Sequence, residues 1–374
     1  MKKIVVASDS FKGTLSSSEI CEIAKRVIPD YFLECEVFAV PVADGGEGTV
    51  DCFLKLGAKP VKTEVSGPFF ERIEAVYARL GKTAVIEMSA AAGLPLAGEN
   101  KNPELTTTYG VGQLIKHAVD QGCSRILLGL GGSATNDGGC GMAAALGAVF
   151  RDSKGKEFIP TGGTLGDIHA ISLREMDKLL ADIYTIAMCD VENPLCGKNG
   201  AAYVYGPQKG ADSEMVKRLD KGLERLSSYM TVVRGEDISD YPGAGAAGGM
   251  GAGCMWFLRA VLRQGTDAIL DAVGFDSALK GADYVITGEG RLDSQSFKGK
   301  LLSGVKKRAD AAGVPVAVIA GSIKKGDEDL FKDLRKVYTT SDYPAPVTEL
   351  KRYAKINYER TLRSFCEDVL GGKV

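Results

Sequence analysis

The chain alternates short apolar runs with amphipathic stretches at both ends and changes rhythm in between. Ile4 to Ser8 reads as a buried strand. Ser16-Ser17-Ser18-Glu19 is a capping-box signature ahead of Ile20, Ile23, Val27 and Ile28, which recur at helical spacing. Val37 to Val42 predicts a second strand, and Thr49 to Leu56 a second helix closed by Gly57. The alternation returns towards the C terminus. Tyr284 to Thr287, Val314 to Ala320 and Val337 to Thr340 predict strands, separated by helices at Gly299 to Ala312 and Asp327 to Leu334. Val347 to Leu370 predicts a closing helix. Five such strands suffice for a flavodoxin-like, doubly wound parallel sheet with helices on both faces.

The intervening segment holds short strands at Ile73 to Tyr77, Thr83 to Glu87, Arg125 to Leu128 and Tyr184 to Met188. It also predicts helices at Tyr109 to Asp120 and Asp212 to Met230. The pattern therefore predicts a discontinuous flavodoxin-like α/β domain (residues 1–62 and 282–374) interrupted by a second, inserted α/β domain (63–281). A sequential pair of domains divided near Asp152 to Gly166 is the alternative. A length of 374 residues favours two domains in either case.

Apolar content of 45% and charged content of 25% are globular values. A net charge of −2 argues against a nucleic-acid partner. No apolar run is long enough for a bilayer, and the N terminus reads as a strand instead of a signal peptide. Nine cysteines without C-x-x-C or zinc spacing predict reduced thiols and a cytoplasmic location; Cys189 and Cys196 come nearest to a metal pair. The 47 glycines cluster in loops, where they permit tight turns and close ligand approach.

One loop stands out. Gly129-Leu130-Gly131-Gly132-Ser133-Ala134-Thr135-Asn136-Asp137-Gly138-Gly139 follows the apolar run Ile126-Leu127-Leu128 and precedes the small-residue stretch Met142 to Leu146. Strand, glycine-rich turn and helix in this order bring backbone N–H groups to a phosphate. Four other glycine-rich loops run from Ala7 to Thr14, Ala43 to Thr49, Gly243 to Gly249 and Gly288 to Asp293. Asp9, Asp44, Glu289 and Asp293 follow predicted strands, so they should line one sheet edge, with Lys12 and Arg291 among them. Helix caps or turns are the plainer reading of Asp9 and Asp44. Asp190 and Asn193, in Asp190-Val191-Glu192-Asn193-Pro194-Leu195, have the chemistry of a magnesium or phosphate site, or of an Asx turn.

No Walker A motif is present. Gly129 to Ala134 does satisfy G-x-G-x-x-G/A, with Asp152 beyond it, so a nicotinamide-dependent oxidoreductase is a rival reading. Two features weaken it: Gly243 to Gly248 matches the pattern without a preceding strand, and Thr135 to Gly141 interrupts the expected helix. His117 and His169 lie away from the glycine loops, so a general base must be a carboxylate. Trp256, Phe257 and Leu258 read as core.

At these motifs the sequence resembles the type I glycerate kinase family, along essentially its whole length. The resemblance rests on Ser8 to Gly13, Pro41 to Thr49, Gly131 to Gly139, Cys189 to Leu195, Pro242 to Gly249 and Thr287 to Asp293. It implies ATP-dependent phosphorylation of D-glycerate, in much of the family at the 2-hydroxyl, and a flavodoxin-like domain interrupted by a second one. The expected site lies in a cleft between the two domains. Its nucleotide-binding residues would be Gly131, Gly132, Ser133, Ala134, Thr135, Asn136, Gly245 and Gly248, with Mg²⁺ on Asp190 and Glu289. Asp190, Asp137, Asp293, Lys12 and Arg291 would be catalytic, with Asp137 or Asp293 taking or orienting the hydroxyl proton. Asp9, Lys12, Arg291, Asp44 and Asn193 would hold the substrate. A 3-phosphate product and a non-catalytic nucleotide-binding protein are the remaining alternatives. A monomer or homodimer without nucleic-acid or membrane partners is expected.

Overall fold

Strand Lys3–Val6 occupies an inner position in a five-stranded sheet whose neighbours are parallel throughout. The computed structural model describes residues 3–11, 13–42, 46, 48–294, 296, 301–331, 336–341 and 347–373. Lys3–Val6 pairs on one side with Glu36–Ala39 and on the other with Tyr284–Thr287, which continues to Val316–Ala320 and Lys336–Thr339. Numbered along the chain, the spatial order is 2-1-3-4-5, the flavodoxin order. The order reverses between the first and third strands, where loops after both strands leave the same edge.

The sheet is all-parallel, so both faces must be covered and its strands are apolar on both. Ile4, Val5 and Val6 are buried, as are all five residues of Val316–Ala320. Helix Ser17–Tyr31 begins with the expected capping box: Ser16 Oγ accepts from the Glu19 N–H (3.2 Å), and the Ser16 N–H donates to Glu19 Oε2 (2.9 Å). It packs beside the closing helix Val347–Leu370, and Ile20, Val27 and Ile28 share a core with Tyr358, Leu362 and Phe365. Of the helix expected at Asp327 to Leu334, the described residues form a short 3₁₀ turn, Glu328–Phe331.

The other sheet has six strands. Lys59–Ser66, Arg72–Leu80 and Thr83–Glu87 form an antiparallel meander, and Arg125–Gly129, Tyr184–Met188 and Val261–Arg263 extend it in parallel. Strand Lys59–Ser66 has no place in the sequence expectation. Its alternation of half-buried and exposed residues marks an edge strand with one covered face. Trp256, Phe257 and Leu258 are core, as expected.

By their contacts the residues form two compact units, 1–44 with 266–374, and 45–265. The seams drawn from pattern alone lie at 62/63 and 281/282. Helix Thr49–Lys55 accounts for the first difference: it packs on Arg72–Leu80 and Thr83–Glu87 and so belongs to the inserted unit.

Candidate active site

In the inserted unit, strand Arg125–Gly129 ends at Gly129 and the chain turns through Gly131 to Gly139 before helix Cys140–Ala145. The turn is pinned on several sides. The Leu130 N–H donates to the Met188 carbonyl (3.2 Å), Leu94 N–H to the Gly132 carbonyl (2.8 Å), and Ala134 N–H to the Ala92 carbonyl (2.8 Å). The Thr106 hydroxyl donates to the Ala134 carbonyl (2.8 Å). Gly131 is half-buried and Gly132 exposed, whereas Ser133 to Cys140 are all buried. The N–H groups of Gly131, Gly132 and Ser133 donate to no acceptor among the described residues. Successive backbone N–H groups of this kind form an anion cradle.

Behind the cradle lies Asp137, 1% exposed. Its Oδ2 accepts from the Thr108 N–H (2.8 Å), the Thr108 hydroxyl (2.8 Å) and the Gly141 N–H (3.2 Å), and Oδ1 from the Gly139 N–H (3.1 Å). The Met142 N–H donates in turn to the Thr108 hydroxyl (2.8 Å). Burial pushes this carboxyl above the usual carboxylate range, against the pull of those hydrogen bonds. The expectation of a proton acceptor thus meets a carboxylate enclosed by donors of its own loop, which it holds to the start of helix Tyr109–Asp120.

Thr135 and Asn136 have the opposite character. Both are fully buried, yet Thr135 Oγ1, Asn136 Nδ2 and Asn136 Oδ1 have no hydrogen-bond partner among the described residues. Buried polar groups are nearly always paired, and an unpaired one costs about 1–3 kcal/mol. Such groups fit a polar ligand that completes their hydrogen bonding.

Two further loops are drawn against this one. Ala247, Gly248 and Gly249 carry positive φ inside the segment Ala246–Leu258, which makes a sharp bend over the turn. A Cβ at Gly248 would lie 2.0 Å from the Thr135 carbonyl oxygen, so nothing larger than glycine fits there. At Gly245 a Cβ would lie 2.1 Å from the Pro194 carbonyl oxygen, and its N–H donates to the Asn193 carbonyl (3.0 Å). The loops bearing Asn136, Asn193 and Gly248 are therefore one connected assembly. Within it the Asn193 amide is held structurally: it donates to the Asn199 carbonyl (2.8 Å) and accepts from the Tyr205 hydroxyl (2.6 Å). Asp190 follows strand Tyr184–Met188, and its Oδ1 accepts from the Gly265 N–H (2.8 Å).

The dinucleotide reading of Gly129 to Ala134 finds no support in this geometry. That fingerprint places a helix N-terminus at its last position, whereas here Ala134 bridges to Ala92 and the helix begins at Cys140.

In the flavodoxin-like unit, the expected residues follow their strands as the pattern requires. The Asp9 N–H donates to the Gly288 carbonyl (2.9 Å), joining the loops after the first and third strands at the reversal point, and Asp9 Oδ1 accepts from the Ser10 N–H (2.7 Å). The Gly321 N–H donates to the Glu289 carbonyl (3.1 Å), and Arg291–Leu292 pairs with Ser322–Ile323. Asp293 is half-buried; its N–H donates to Ser296 Oγ (3.0 Å). Asp9, Glu289, Arg291 and Asp293 thus belong to loops at the carboxyl ends of adjacent parallel strands. Lys12 and Asp44 lie outside the described residues.

Lys209 was not anticipated. It is 2% exposed, in the 3₁₀ turn Pro207–Lys209, and its Nζ donates to Ser133 Oγ (2.9 Å) and to the Thr135 carbonyl (2.7 Å). Lysine is the residue least expected inside, and no local pattern marks this one.

Among the described residues no group of three or more His, Cys, Asp or Glu is arranged to hold a metal ion. Mg²⁺ bound through phosphates usually needs only one or two carboxylates, so Asp190 and Glu289 remain compatible with that chemistry. All nine cysteines are free thiols, and no helix among the described residues is long and apolar enough to cross a membrane.

Comparison with known proteins identifies the family. The profile of the glycerate kinase family matches residues 4–370. A glycerate kinase of Bacillus cereus is 43% identical over 367 residues, covering 97% of this chain and 96% of the relative. The glycerate 2-kinase of Escherichia coli is 43% identical over 326 residues, covering 86% and 85%. A crystal structure assigned as glycerate kinase 2 from Salmonella typhimurium LT2 superimposes with a TM-score of 0.90 at 39% identity, covering 100% of this chain and 99% of that one. With a family profile matching residues 4–370 and relatives covered almost end to end, the chain belongs to the glycerate kinase family.

Proposed function

We propose that this enzyme transfers the γ-phosphoryl group of ATP to the 2-hydroxyl of D-glycerate, giving 2-phosphoglycerate and ADP. The observation that carries the reading is the turn Gly131–Asn136, where a row of N–H groups and the unpartnered Thr135 and Asn136 side chains await a polar, anionic ligand. The 2-hydroxyl is favoured because a relative 43% identical is a glycerate 2-kinase.

Phosphoryl transfer needs positioning and charge neutralisation more than covalent chemistry. The Gly131–Ser133 N–H groups bind nucleotide phosphate, and Thr135 and Asn136 supply further hydrogen bonds to it. Asp190 and Glu289 would offer carboxylates to Mg²⁺, which would supply neutralisation of phosphate charge. Arg291 offers a fork suited to the glycerate carboxylate, with Asp9, Lys12 and Asp44 as the other substrate-side groups. The enclosure of Asp137 favours Asp293 as the group that takes the hydroxyl proton. The glycerate oxygen then bonds to phosphorus as the β–γ bridging bond breaks and ADP leaves.

Purified enzyme supplied with ATP, Mg²⁺ and D-glycerate is expected to release ADP, with the product identified by phosphorus NMR as the 2-phosphate. No ADP release would overturn the reading; a 3-phosphate product would overturn only its regiochemistry. Asp190→Asn is expected to lower turnover by about 100-fold or more, as loss of a charge-stabilising group does. Near-parental turnover at saturating Mg²⁺ would remove Asp190 from that role.

A further inference from the structure

The buried lysine lies outside every motif used above, yet it is bonded to the residues on which the proposed phosphate site depends. Its ammonium reaches a side chain and a main-chain carbonyl of the same turn, Ser133 Oγ and the Thr135 carbonyl, flanking Ala134. The next groups along that turn are the Thr135 hydroxyl and Asn136 amide, buried and without partners. An ammonium has three N–H donors, and two acceptors are accounted for here.

We propose that Lys209 is a positioning residue for phosphoryl transfer, holding the Ser133–Asn136 turn in shape and supplying a buried positive charge to the anion bound there. The proposal rests on the reading that this turn receives the nucleotide phosphates.

The electrostatic setting supports it. Desolvation pulls the lysine down to about 7, opposed only in part by the negative charge of Asp137. Titratable groups on adjoining elements include Tyr203 and Tyr205 on the preceding helix, Asp212 and Glu214 at the start of the following helix, and Lys101, whose backbone abuts Gly210 and whose side chain is exposed. Near neutral pH the free enzyme therefore holds Lys209 only partly protonated. An arriving phosphate favours its charged form, so binding takes up a fraction of a proton. A lysine with a purely structural part would show no such uptake.

The test uses Lys209→Met, which keeps the length and removes the donors, and Ser133→Ala, which removes one of the two acceptors with little change in volume. ATP binding without glycerate is followed by calorimetry in two buffers of different ionisation enthalpy, alongside steady-state kinetics. The parent is expected to take up protons on binding ATP at pH 7.5 beyond the uptake or release shown by Lys209→Met. Lys209→Met is expected to lose about 100-fold in kcat/KM for ATP with KM for D-glycerate within about threefold, and Ser133→Ala about 10-fold. A folded Lys209→Met enzyme with parental kinetics and parental proton uptake overturns the proposal. Should Lys209→Met fail to fold, a Ser133→Ala enzyme with parental kinetics overturns it as well. A change confined to KM for glycerate would support the positioning role while overturning the assignment of this turn to the nucleotide.

Discussion

Asn136→Leu is expected to lose about 100-fold or more in kcat/KM while melting no lower than the parent. Both polar atoms of the Asn136 amide are buried without partners among the described residues, next to a Thr135 hydroxyl in the same state. In the free protein each such group carries a desolvation cost of about 1–3 kcal/mol that no hydrogen bond offsets. Leucine has the same branched heavy-atom skeleton and carries no such cost, so the free protein gains. An increase of about 2–4 °C in Tm is expected for each kcal/mol relieved in a unit of this size. Activity changes in the opposite direction, because the amide is what a ligand would complete. Thermal melts and steady-state kinetics on the one variant read both effects. A fall of several degrees with activity intact would show the amide to be a structural group and remove it from the site.

Asp137→Ala should behave in the reverse manner, collapsing the site by destabilising it. Its carboxylate accepts four hydrogen bonds from Thr108, Gly139 and Gly141, and all of these groups are buried. Alanine leaves the donors unsatisfied and removes a negative charge that acts on Lys209. The expected cost is about 3–5 kcal/mol, as for other buried charges stripped of a partner, and the melting temperature should fall by roughly 6–20 °C. Asp137→Asn retains one acceptor oxygen, so it should be milder and keep measurable turnover. That comparison separates positioning from proton transfer: a base lost to Asn would abolish turnover in a protein that still melts normally. An Asp137→Ala enzyme with an unchanged melting temperature would refute the structural role.

Asp137 also shows where reading from sequence stops. Its place in a polar tail after a glycine turn marks it as a candidate site residue, and the fold encloses it behind that turn. Whether such a carboxylate faces a ligand or its own backbone depends on Thr108, remote in the chain, arriving within hydrogen-bonding distance. Asn193 follows the same rule, since Tyr205 and Asn199 occupy its amide. Short-range pattern was a good guide where local physics decides. The capping box at Ser16, the strands at either end and the closing helix all depend on periodicity and caps that neighbouring residues set. It missed strand Lys59–Ser66, and although it found helix Thr49–Lys55 it did not reveal that helix's allegiance, which is decided by the strands it covers.

The amino-acid order alone carries the alternation that makes a parallel sheet, the glycine turns that leave its strands, and the motifs shared with the glycerate kinase family. These follow from spacing, which needs no knowledge of distant neighbours. Tertiary structure decided which polar groups of those turns are consumed by the fold and which are left over. It enclosed Asp137, left Thr135 and Asn136 without partners, and drove Lys209 against Ser133. Burial and hydrogen bonding are properties of residues brought together from 29 to 76 positions apart, such as Thr108 with Asp137 and Ser133 with Lys209. That is why the glycine turn was legible as a candidate site, and the state of its polar groups became so only once the chain had folded around it.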